Sequence, residues 1–157
     1  MTTRTLTAAM SLVLLTASAV AIADQVVAFA TGGYASQLRT PEMMHKIDTN
    51  KDGMVSKNEW DAYQMKLFGM LDADSSGVVD RKEFTQAHRK DVASFATGGF
   101  ATALRTGEMF AKVDADHDGK LSQEEFVAYH SKVFEMMDTR GTRMLGQNEF
   151  FGRGPAH

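Results

Sequence analysis

Apolar positions follow two patterns along this chain. The first is a plain run from Leu6 to Leu15, diluted by Thr7 and Ser11, that trails into Ala19-Val20-Ala21-Ile22-Ala23. The second is a set of stripes at helical spacing. Met43, Met44 and Ile47 make a short stripe, and Trp60, Tyr63, Leu67, Phe68 and Leu71 a longer one. Met109, Phe110 and Val113, then Phe126, Tyr129 and Val133, repeat the same alternation further on. Residues three and four apart share one face of a helix. The stripes therefore predict short helices ending near 47 and 113, and longer ones starting near 60 and 126. Thr40 and Thr106 precede the short helices as N-caps, with Glu42 and Glu108 in the first turn and Pro41 at the first helical position. Between each short stripe and the next long one lies a run of acidic and amide residues.

The first apolar run reads as an export signal. Arg4 precedes it, and Ala21-Ile22-Ala23 supplies a small-x-small end, so residues 1–23 form a secretory signal peptide cut before Asp24. Roughly 15 diluted apolar residues fall short of the ~20 that a membrane span needs. The chain has no Cys, so a lipid anchor at the cut is excluded as well. The expectation is a periplasmic or secreted bacterial protein, with no membrane span once the signal is removed.

The rest of the chain is a duplication. Phe29-Ala30-Thr31-Gly32-Gly33-Tyr34 returns 66 positions later as Phe95-Ala96-Thr97-Gly98-Gly99-Phe100, and Leu38-Arg39-Thr40 returns as Leu104-Arg105-Thr106. A repeat of this kind fixes the unit of architecture, here residues 24–93 and 94–157. No strand precedes the paired glycines and no helix opens on them, so they read as a hinge and not as a phosphate loop. Their aromatic neighbours are linker anchors or, alternatively, a lid for an apolar groove.

The acidic runs carry the chemistry. Residues 48–59, DTNKDGMVSKNE, place oxygen side chains at positions 1, 3, 5, 9 and 12 (Asp48, Asn50, Asp52, Ser56, Glu59) and Gly53 at position 6. That is the twelve-residue EF-hand pattern, whose position 7 supplies a backbone carbonyl, here Met54. A hard Ca²⁺ ion takes 6–8 oxygens at ~2.3–2.6 Å, and a tight loop with alternating ligands aims its oxygens inward. Residues 72–83 offer Asp72, Asp74, Ser76, the Val78 carbonyl, Asp80 and Glu83 around Gly77. Residues 114–125 offer Asp114, Asp116, Asp118, the Lys120 carbonyl, Ser122 and Glu125 around Gly119. Position 8 is apolar in each (Val55, Val79, Leu121), as short β-bridges between paired loops require.

The pattern resembles the EF-hand calcium-binding superfamily, calmodulin-like in its number of loops and similar to small secreted or periplasmic bacterial EF-hand proteins. The resemblance implies an all-α fold of duplicated helix–loop–helix units that binds Ca²⁺ in sensing, buffering or calcium-dependent association. It covers about residues 40–151. The fourth loop, 138–149, is degenerate: Arg140 stands at position 3, Thr142 at position 5 and Arg143 in place of the turn glycine. About three Ca²⁺ ions are expected, with this loop kept as a structural mate. Loops within one copy start 24 residues apart, which leaves a single helix between them. Its length separates the two loops, so loop two is expected to pair with three, and loop one with four.

Composition narrows the function further. A net charge of -3 gives no basic field for nucleic acid, and the absence of Cys removes thiolate sites and a cysteine nucleophile. No catalytic order of residues stands apart from the calcium ligands, so the chain reads as a non-enzyme. The five His, at 45, 88, 117, 130 and 157, share no metal spacing and are expected at the surface. Met43, Met44, Met65, Met70, Met109, Met136 and Met137 divide between ordinary core and an adaptable groove for a protein target. The resulting expectation is an exported calcium sensor or adaptor, with a non-switching buffer as the alternative. Mass spectrometry of the protein exported by a bacterial host should give a chain that begins at Asp24; a chain retaining Met1 to Ala23 would refute the signal.

Overall fold

The computed structural model describes residues 38–85 and 106–152. The export signal, both Phe-Ala-Thr-Gly-Gly segments with their lid reading, His88 and His157 lie outside the described residues. Helix α1 spans Pro41–Ile47; Thr40 caps it, its hydroxyl accepting the Met43 N–H at 3.2 Å. Strand β1 (Val55–Ser56) leads into α2 (Lys57–Leu71), then β2 (Val78–Asp80) and α3 (Arg81–Thr85). The second copy repeats the order with α4 (Gly107–Val113), β3 (Lys120–Ser122), α5 (Gln123–Met137), β4 (Met144–Leu145) and α6 (Gln147–Phe150). The fold is mostly helical, with two minimal antiparallel sheets.

Helix α2 runs unbroken through Gly69 and ends only at Asp72, the first residue of the next loop. Fifteen residues at 1.5 Å each hold its ends about 22 Å apart. Its two loops therefore find partners in the other copy, as the spacing predicts. Strand β1 pairs with β4, setting Val55 opposite Leu145, and β2 pairs with β3, setting Val79 opposite Leu121. All four of these position-8 side chains are fully buried.

One core joins both copies. Helix α2 packs along α5, and the Trp60 Nε1–H donates to the His130 carbonyl at 2.9 Å while its ring meets Phe134 edge-on, centroids 5.7 Å apart. On the same seam Lys57 Nζ bonds Asp61 at 2.6 Å and Ser131 Oγ at 2.8 Å. Phe84 of α3 meets Phe110 of α4 at 5.5 Å, and the Arg81 guanidinium lies over that Phe110 ring. Met43, Met44, Met109 and Met137 are buried, and Met70 and Met136 pack against the core from its margin. Among the described residues only Met54 and Met65 are large exposed hydrophobics.

His130 departs from the expected surface position. It is fully buried, its Nδ1–H donating to the Phe126 carbonyl at 2.8 Å and its ring 4.4 Å from the Phe126 ring. It lies four residues after Phe126 and four before Phe134, inside the apolar stripe of α5. Gln64 holds the matching place on α2 and is equally buried. Burial pushes the His130 pKa down to about 4, and the Phe126 carbonyl only partly opposes this. The unfolded chain takes up this proton near pH 6.5, whereas the folded protein resists it until about 4. This contribution to stability is therefore complete above pH 6.5 and is lost as the pH falls towards 4. Urea unfolding with chelator should show about 2 kcal/mol lost between pH 6.5 and 5. His130→Gln should flatten that dependence, and an unchanged slope in the variant would assign it to other groups.

Candidate metal centres

Each loop is a closed hydrogen-bonded frame built from its own carboxylates. In loop one, Asp48 Oδ2 accepts the Gly53 N–H at 3.0 Å and Oδ1 the Asp52 N–H at 3.2 Å. Gly53 takes φ +80°, which aims its N–H inward; Gly77 and Gly119 do the same at +85° and +82°. The carboxylate at position 12 closes the loop from the exit helix. Glu59 Oε1 accepts the N–H groups of Thr49 at 2.9 Å and Asn50 at 3.1 Å, and Oε2 accepts the Ser56 N–H at 2.9 Å. Glu83 and Glu125 repeat these contacts in loops two and three.

Position 9 has a second task. Ser56 and Ser122 accept the N–H of Glu59 and Glu125, each at 3.2 Å, in reciprocal capping boxes that start α2 and α5. Asp80 does the same for Glu83 at 2.7 Å. Burial alone would raise the Glu59 carboxyl, but the N–H and hydroxyl of Ser56, the Asn50 N–H and the Thr49 hydroxyl hold it at about 2. Glu125 is lowered in the same way, burial being outweighed by Ser122, Ala115 and Asp116. The closing carboxylates are thus ionised at any physiological pH, as metal ligands must be.

The oxygens of these frames converge. Carboxylate oxygens of Asp72, Asp74 and Glu83 lie within 4.8 Å of one another, as do those of Asp114, Asp116 and Asp118. Ser76 Oγ–H donates to the Val78 carbonyl at 3.0 Å, bringing positions 5 and 7 of loop two together. In loop one, Asn50 Nδ2–H donates to Asp52 Oδ2 at 3.0 Å, and the Asp52 Oδ1 accepts the Met54 N–H at 2.8 Å. In loop three Asp118 Oδ1 accepts the Lys120 N–H at the same distance, 2.8 Å.

The donor set fits a hard divalent cation, and loop three shows it most directly. Asp114 is buried, its Oδ2 accepts the Gly119 N–H at 3.2 Å, and its Oδ1 is out of water with no hydrogen-bond donor. A buried carboxylate oxygen without a donor is strongly unfavourable unless a cation faces it. Two further carboxylates stand within 4.8 Å of this one. All-oxygen donors of this kind suit Ca²⁺ over softer metals.

Loop four differs as its sequence indicates, but its turn survives. Arg143 takes φ +58° in the glycine position. The expected strain is compensated two residues earlier: position 4 is left-handed in every loop, at Lys51, Ser75, His117 and Gly141. Loops one to three put glycine at position 6 and an ordinary residue at position 4, and loop four reverses the two. Each loop therefore holds one left-handed residue with a side chain, at about 1 kcal/mol or more, and loop four is no more strained than the rest. The loss of its turn glycine is no obstacle to the loop shape.

Residues 42–62, 65–87 and 107–128 match the EF-hand family, one segment for each of the first three loops. No curated protein and no solved structure matches the chain. Three family matches in phase with three closed acidic loops define the class: this chain belongs to the EF-hand calcium-binding superfamily. It is a duplicated, calcium-binding EF-hand protein whose fourth loop, 138–149, lies outside the matched segments.

The capping boxes give a direct test of this geometry. Ser122→Ala removes the cap on Glu125 N–H and the Ser122 Oγ–H to Glu125 Oε2 bond of 2.9 Å. Urea unfolding in chelator should show a loss of about 1 kcal/mol, and no loss would mean that the box does not support the start of α5.

Proposed function

We propose that this protein is an exported, non-catalytic calcium sensor or adaptor that binds three Ca²⁺ ions, at loops one, two and three. The buried, donor-less Asp114 Oδ1 within its carboxylate cluster carries the calcium reading. The ion supplies compact positive charge to oxygens the loops have already gathered. In loop one these are Asp48, Asn50, Asp52, the Met54 carbonyl and Glu59, with Ser56 at the capping position. Loop two uses Asp72, Asp74, Ser76, the Val78 carbonyl, Asp80 and Glu83. Loop three uses Asp114, Asp116, Asp118, the Lys120 carbonyl, Ser122 and Glu125.

The sensor reading is supported by where the adaptable residues lie. Met43 and Met44 on α1, and Met109 and Phe110 on α4, belong to helices of only seven residues each, too short to be stable without the core they cover. Swinging these helices outward would uncover an apolar, Met-rich groove suited to an amphipathic protein segment. One observation favours the alternative, a calcium buffer or calcium-stabilised protein without switching. The core is closed, with Met54 and Met65 the only large exposed hydrophobics among the described residues. Export rests on the signal pattern of residues 1–23.

One titration on residues 24–157 tests both parts. Calorimetry should return about three ions per chain, unchanged in Glu149→Gln and reduced by one in Glu125→Gln. An apolar-surface dye should bind only when calcium is added. Ions without a dye response would establish the buffer, and an unaltered count in Glu125→Gln would remove loop three as a site.

A further inference from the structure

Loop four keeps the frame of a calcium loop and places a cation of its own inside it. Asp138 accepts N–H bonds from Thr142 at 3.0 Å and Arg143 at 2.7 Å, as Asp48 does from Asp52 and Gly53. Glu149 Oε1 accepts the Arg140 N–H at 3.2 Å, and Oε2 the Gly146 N–H at 3.3 Å, matching the bonds Glu59 receives from Asn50 and Ser56.

The new partner is the side chain at position 3. Arg140 Nη2 donates to Glu149 Oε2 at 2.6 Å. The same nitrogen lies 3.4 Å from the point that a Cβ on Gly146 would occupy. Position 9 is Ser56, Asp80 or Ser122 in the other loops, and glycine here clears room for the guanidinium. Arg140 is thus lodged between positions 9 and 12, with its stem in solvent and its head against a Glu149 side chain only 8% exposed. The charges of Glu149, and then of Asp138, raise the Arg140 pKa further. This guanidinium stays charged at every pH at which the protein is folded.

Loop four also shapes loop one. Leu145 stands opposite Val55, and the Lys57 N–H, at the start of α2, donates to the Arg143 carbonyl at 3.1 Å. When a binding site is competent only part of the time, its apparent affinity falls by that fraction. The order of loop one therefore depends on the order of loop four.

We propose that Arg140 is a tethered cation, a positioning residue whose guanidinium takes the ion's part in loop four, holds Glu149 closed and keeps β4 ordered as a permanent template for loop one. The inference rests on loop one being a calcium site. It makes the two loop pairs unequal: loops two and three each need an ion, whereas loop one has a partner already ordered at any calcium level.

The test uses residues 24–157 in chelator, with amide exchange followed by NMR. Arg140→Ala should accelerate exchange at Val55, Lys57 and Leu145 by about tenfold or more, leaving Val79 and Leu121 unchanged, and Arg140→Lys should restore part of the protection. In a calcium titration, Arg140→Ala should then weaken loop one by a similar factor and spare loops two and three. Unaltered exchange at the β1–β4 amides, or equal acceleration in both strand pairs, would overturn the proposal, as would accelerated exchange with an unchanged loop-one affinity. If the wild type places no ion in loop one while the exchange results hold, the calcium reading of that loop fails and the Arg140 latch stands.

Discussion

A single rigid helix, Lys57–Leu71, closes one loop at its first turn and opens the next at its last. It carries the closing carboxylate of loop one, Glu59, near one end and runs into the opening carboxylate of loop two, Asp72, at the other. Loops that share such a helix cannot meet, so each must find its β-partner in the other copy. From that constraint follow the β1–β4 and β2–β3 pairings, the packing of α2 on α5, and the single core. A break at Gly69 would have permitted a different assembly; nothing packs within 4 Å of where its Cβ would lie, and the helix continues through it.

Much of this was legible because it is periodic. Ligand oxygens at alternating loop positions, apolar residues at position 8 and stripes three and four apart are patterns that backbone geometry imposes directly on sequence. The loop pairing followed from helix length alone. His130 was misplaced because its residue type argues for water while its spacing, four from Phe126 and four from Phe134, argues for the core; packing prevailed. Gln64 carried the same signal on α2. The Arg140–Glu149 contact was illegible for another reason. It joins residues nine apart in a loop, where no period relates them, and it depends on Gly146 leaving space that no stripe or motif records.

Loop four also shows how a substitution that breaks a motif can leave a conformation intact. Judged at position 6 alone, Arg143 is a violation. Judged across the loop, glycine has moved to position 4, and the number of left-handed residues bearing a side chain is unchanged. The chain has lost ligands there without losing the turn, so the pairing partner of loop one persists with a different charge at its centre.

The cross-pairing has one more consequence. Loop one pairs with the counterpart of loop two, and loop two with the counterpart of loop one, so the two halves meet as subunits of an isologous dimer do, about a pseudo-two-fold axis between α2 and α5. Trp60 and Phe126, and Gln64 and His130, are the symmetry mates across it. Half of this chain alone would present two unpaired strand edges and the bare face of one long helix, and would be complete only with a second half beside it. The residues joining the copies turn that bimolecular encounter into an intramolecular one, at an effective concentration of about millimolar for a short tether. The integrity of the calcium loops is thereby independent of how dilute the protein is, which suits a molecule meant to work after release from the cell that made it.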